Sequence, residues 1–201
     1  MASRREFLQI GVAALALPIS ARAGVLPAIS PWADEARVPL YKVVFDERFP
    51  ASRKFGGEAK TLGAAVHGIK GDITDFWFHD LYARWKQGPA AIAGLTAHGP
   101  IFCLERIAWD QRMRVVFRAD HRYRDDGTIE HALSGPESML HEAASLRSEG
   151  TDWTSRMASL VTRCPASRFQ ISQTNIVAST VKHADDPDHL ISWVIAPVNR
   201  A

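Results

Sequence analysis

Three histidines in the first 121 residues stand near oxygen-bearing side chains: His67 with Asp72, His98 with Thr96, and His121 with Asp120. Imidazole changes charge between pH 5 and 8. With carboxylates beside it, such a set can bind a transition metal or move protons near neutral pH. Asp46 and Glu47 add two carboxylates after another apolar run. No metalloprotease spacing completes the set, because His141-Glu142 is followed by Ser145 where a second histidine belongs. The same residues also have a structural reading. In it His67 packs in the core, Thr96 and His98 cap the next helix, and Asp120-His121 begin a surface hairpin.

Two other stretches invite a ligand. Gly94-Leu95-Thr96-Ala97-His98-Gly99-Pro100 is glycine-rich but has neither the Gly-x-Gly-x-x-Gly spacing nor a Gly-Lys-Ser/Thr ending, so neither nucleotide fingerprint holds. It can seat a small anion at a helix amino terminus, with Thr96 and His98 as donors, or serve as a tight strand-to-helix connection. The run from His183 to His189 gathers three aspartates and two histidines. It suits a cation or a solvated loop, since proline and aspartate favour turns.

The elements that must place these residues alternate. Leu40–Phe45, Ala64–Ile69, Ala90–Leu95 and Met113–Ala119 have strand character, and Ala90 to Leu95 is apolar on both faces, as in a covered central strand. Helices are expected at 51–62, at 74–86 after a cap from Asp72 or Thr74, and at 100–110 after Gly99-Pro100. Strands separated by helices of this length predict an α/β fold, a three-layer sandwich with a mainly parallel sheet. Asp126-Gly127 then predicts an antiparallel hairpin, followed by two helices at 136–147 and 152–163 and strands at 175–181 and 190–196. In an open parallel sheet ligands lie beyond the carboxyl ends of the strands. That rim is where His67, Asp72, Thr96, His98, Asp120 and His121 are expected to converge.

The 74–86 helix carries Phe76, Trp77, Phe78, Leu81, Tyr82 and Trp85, more apolar circumference than a single core-facing stripe needs. Phe76, Trp77, Tyr82 and Trp85 are therefore candidates for a partner surface, the competing reading being a helix buried on two sides.

The amino terminus has a different logic. Ser3-Arg4-Arg5-Glu6-Phe7-Leu8-Gln9 sets two adjacent arginines before a short apolar run from Ile10 to Ile19, and Ala21-Arg22-Ala23 has the small residues a signal peptidase reads. The run is too short to span a bilayer as a helix. This segment resembles the twin-arginine export signal family in its Ser-Arg-Arg-x-Phe-Leu core, departing at Gln9 where lysine is common. The resemblance covers residues 1–23 and implies that Arg4 and Arg5 are read by the twin-arginine export machinery. It also implies delivery of a folded protein to the periplasm, with cleavage after Ala23. Residues 24–39 read as a linker and 40–201 as one α/β domain.

Removing residues 1–23 takes three of 24 basic and one of 22 acidic residues, leaving 21 of each. A neutral mature chain gives no basis for a nucleic-acid surface built on net positive charge. With no second long apolar run, no membrane span is expected after cleavage. Two cysteines are too few for a four-thiolate cluster, and no Cys-x-x-Cys-His haem motif is present. In an oxidising compartment Cys103 and Cys164 are a candidate disulfide, although a fold exported complete has to stand without it.

Proteins using this export route commonly carry a cofactor or travel with a subunit that does. The expected function is an accessory or cofactor-associated subunit of a periplasmic redox complex, with a redox partner protein and the cofactor unidentified. The alternative is a small periplasmic metal- or anion-binding enzyme using the histidine and aspartate residues at the strand ends.

Overall fold

The computed structural model describes residues 37–147, 152–165 and 171–198. The expected export signal, with Arg4 and Arg5, and most of the expected linker lie outside the described residues.

The strands are β1 (Leu40–Asp46), β2 (Val66–Ile69), β3 (Ala91–Thr96), β4 (Met113–Tyr123), β5 (Thr128–Pro136), β6 (Ile171–Ser179) and β7 (His189–Pro197). Between them lie α1 (Pro50–Thr61), α2 (Thr74–Phe76), a π-helical stretch Trp77–Leu81, α3 (Tyr82–Lys86), α4 (His98–Asp110), α5 (Glu137–Ala143) and α6 (Trp153–Thr162). The expected 74–86 helix is thus continuous but widened in its middle. Pro50 starts α1, where proline's missing donor costs nothing.

The strands form one mixed sheet of order β2-β1-β3-β7-β4-β5-β6. This corrects the expectation of a mainly parallel sheet. Only β1 pairs in parallel fashion, with β2 and β3, through crossovers containing α1 and the 74–86 helix. The pairs β3–β7, β7–β4, β4–β5 and β5–β6 are antiparallel. The reason is connectivity. The last strand, β7, fills the place between β3 and β4 that α4 crosses, and the Asp126-Gly127 turn, with Gly127 at φ 78°, forces β5 back along β4. Because β7 opposes both neighbours, β3 and β4 still point the same way and their carboxyl ends share one rim.

Alternate strand residues feed two apolar clusters, as the period of two requires. Val43, Ala93, Leu95 and Val194 pack with α1, α5 and α6, whereas Val44, Ile92, Trp193 and Ile195 pack with the 74–86 helix and α4. At Gly94, a Cβ would meet the Val44 carbonyl oxygen at 2.5 Å and Trp193 Cζ2 at 2.6 Å, so only glycine lets that indole lie against β3.

Among the described residues, no helix is long and apolar enough to cross a membrane.

Candidate functional site: a rim cavity beside a buried histidine pair

The rim residues expected to converge are parted by the two faces of the sheet. His121 and Asp120 are neighbours on β4 and therefore point to opposite faces. Asp120 accepts from Arg118 Nε and Nη2 at 2.7 and 2.9 Å and from His189 Nε2 at 2.8 Å. Burial pushes its carboxyl up, but Arg118 and His189 outweigh that and hold it below the usual range. His67 lies on β2 with its ring 4.5 Å from Phe76, and desolvation lowers its pKa. Asp72 is exposed and closes a turn by accepting from the Thr74 amide and hydroxyl at 2.8 and 2.7 Å. Thr96 is fully buried; its hydroxyl donates to the Ala97 carbonyl and accepts from Trp193 Nε1 at 3.2 Å. His98 is exposed in the first turn of α4 and stacks on Phe102. With Thr96 already engaged, the donor pair expected for an anion at α4 is not assembled. Among the described residues, no three His, Cys, Asp or Glu side chains gather to hold a metal ion.

The disulfide expectation is also corrected. Cys103 is exposed on α4, while Cys164 is buried at the end of α6 in the other apolar cluster. The sheet stands between them, so the two thiols are not joined.

His121 has a different partner. It pairs directly across the sheet with His131 on β5, their Nδ1 atoms 2.6 Å apart, and its Nε2 lies 2.7 Å from Ser192 Oγ on β7. All three side chains are completely buried. Trp153, the first residue of α6, covers both rings at centroid distances of 4.4 and 5.6 Å. Desolvation drives the His121 pKa well down, with the charges of His131 and His189 adding to it, and lowers His131 to about 4. Both are neutral at pH 7, so one ring donates and the other accepts. Among the described residues, His131 Nε2 has no hydrogen-bond partner.

Beyond Trp153 the rim opens into a cavity of about 490 Å³ between the amino termini of α1 and α6. Pro50, Lys54, Tyr123, Trp153, Val181 and Asp186 are among its walls. Asp152 caps α6 by accepting from the Thr154 amide at 3.2 Å, and Lys54 Nζ lies 3.1 Å from it. Helix α1 lacks a local cap, and Asp186, 135 residues away, supplies one by accepting from the Ala51 amide at 3.0 Å. Asp186 is 4% exposed, and its second oxygen, Oδ2, has no hydrogen-bond partner among the described residues. Burial, followed by the nearby Asp186 charge, holds the Tyr123 phenol well above its usual pKa. Asp186 thus departs from the solvated loop expected at 183–189. His183 stays beside Asp186 on the cavity wall, its carbonyl accepting from the Asp186 amide at 3.0 Å, while Asp188 goes to Lys182 and His189 to Asp120.

The partner-surface candidates divide as well. Phe76 and Trp85 are core residues at 1% and 2% exposure, and Trp77 is half-buried with its ring edge-on to Tyr82 and Trp85. Only Tyr82 of the four is exposed, beside Phe78 at 65%. The π-helical stretch shifts the facing of the residues after it, which is why a regular helical wheel misassigns this segment. Helix α4, packed on the same apolar cluster, displays Phe102 and Trp109, with the Arg106 guanidinium over both rings.

Sequence reasoning missed His131, Ser192, Trp153 and Tyr123, and placed Asp186 only in the 183–189 run read as a cation site or a solvated loop. The signal for one was present: His121 and His131 are equidistant from Asp126, so a hairpin centred there sets them opposite each other. Nothing local marks Asp186, whose contact lies 135 residues away.

The chain was compared with family models, curated proteins and solved structures, and none of them matches it.

Proposed function

We propose that this protein is an exported accessory subunit that works beside a periplasmic redox enzyme, meeting it through the outer side of the 74–86 helix and α4. The observation that carries the reading is Phe78, a large apolar side chain left 65% exposed on a helix whose Phe76 and Trp85 are packed in the core. Tyr82, Phe102 and Trp109 extend the same character on helices of one apolar cluster. Exposed aromatics of this kind concentrate at protein interfaces. The address rests on Ser3-Arg4-Arg5 and the apolar run after it, and the finer architecture proposed is a three-layer sandwich around the mixed sheet. No placement of His67, His98 and His121 favours the alternative of a metal- or anion-binding enzyme at the strand ends.

The test is purification of the native protein from the periplasm at low salt, followed by sizing and an absorption spectrum. Co-elution with a larger, cofactor-bearing species is expected, and the double variant Phe78→Ser/Tyr82→Ser should abolish it without lowering the melting temperature. A stable monomer that elutes alone defeats the proposal.

A further inference from the structure

We infer that the cavity between the amino termini of α1 and α6 binds a small, neutral, hydroxyl-rich molecule of monosaccharide size, with Asp186 accepting one of its hydroxyls. This site is separate from the proposed docking surface and does not depend on it.

Three observations lead there. First, the cavity of about 490 Å³ is within the range of small-molecule sites and exceeds what a single buried water needs. Second, Asp186 Oδ2 is an acceptor without a donor among the described residues. The residue is held by its other oxygen on the Ala51 amide and is almost wholly withdrawn from solvent. Buried polar atoms are as a rule hydrogen-bonded, so the missing donor points to a group supplied from outside the chain. Tyr123 lies near the same carboxylate, yet gives Oδ2 no hydrogen bond of normal geometry.

Third, the charge around the cavity is already balanced. Lys54 is paired with Asp152, and the remaining negative charge of the two aspartates faces two helix amino termini, each carrying a partial positive charge. An ammonium or a phosphate disturbs that balance, whereas a hydroxyl completes it. The apolar walls given by Pro50, Val181 and the Tyr123 and Trp153 rings suit the C–H faces of a cyclic polyol.

The experiment is calorimetric titration of the full chain with neutral hexoses and alditols, alongside a primary alkylamine and inorganic phosphate. Saturable binding by at least one neutral polyol is expected, with the amine and phosphate inert. Asp186→Asn keeps an oxygen for the Ala51 amide but replaces Oδ2 by a donor. It should weaken binding about tenfold or more while leaving the melting temperature nearly unchanged. Binding by the amine alone, by phosphate alone or by nothing, the last meaning that ordered water alone fills the cavity, overturns the inference, as does full affinity in the Asn variant. If that variant does not fold, amide shifts in the wild type decide. Shifts centred on Ala51, Trp153 and Asp186 support the site, and shifts elsewhere overturn it.

Discussion

His121 and His131 face each other across β4 and β5 with their Nδ1 atoms 2.6 Å apart, sealed beneath the Trp153 indole. Neither ring reaches solvent, and both carry lowered pKa values because burial disfavours the imidazolium.

That pair makes stability depend on pH. The unfolded chain takes up protons near pH 6.5, but the folded His131 does so only near pH 4. Protonation therefore favours the unfolded state, and stability present above pH 6.5 is lost as the pH falls toward 4. The loss from His131 is on the order of 3 kcal/mol, with His121 adding to it in the same direction. Urea midpoints measured from pH 7.5 to 4.5 should show this fall. His131→Leu should flatten it, and an equally steep fall in that variant would falsify the assignment.

Trp153 closes the histidine pair from the cavity side. Trp153→Ala should cost about 3–5 kcal/mol through lost packing, measured by urea unfolding at pH 7. Histidine resonances followed by NMR should show both imidazoles titrating closer to 6.5 once water reaches them. A variant as stable as the parent contradicts the packing role.

Two glycines should answer to alanine with opposite signs. Gly57 lies inside α1 with nothing within 4 Å of its added Cβ, so Gly57→Ala should stabilise by about 0.5–1 kcal/mol. Gly94→Ala drives a methyl into the Val44 carbonyl and the Trp193 ring and should destabilise by about 1–3 kcal/mol or prevent folding. Thermal melts of the two variants test both signs.

Export should need both arginines. Replacing Arg4 and Arg5 with lysine should leave uncleaved chain in the cytoplasm, detected by fractionation and mass measurement, while the same domain behind a lysine-free control leader stays soluble to the same extent. Normal periplasmic delivery of the double-lysine chain argues against the twin-arginine route.

Much of the local structure is legible in the residues. The apolar stretch Ala91 to Leu95 is a fully buried central strand, Asp126-Gly127 is a turn, and Trp153, Met157, Leu160 and Val161, spaced along one face of α6, lie in the core. Each rests on interactions within a few residues, which sequence order preserves. The aromatic segment 74–86 was harder, because a π-helical stretch changes which side chains share a face.

Residue order alone carried the succession of strands and helices and the position of the hairpin. Tertiary structure alone decided that β7 enters between β3 and β4, turning an expected parallel sheet into a mixed one. It also brought Ser192 to His121 and carried Asp186 to the start of α1. The physical reason is that periodicity reports which face a side chain takes, whereas pairing and capping across 71 to 135 residues depend on which strands become neighbours.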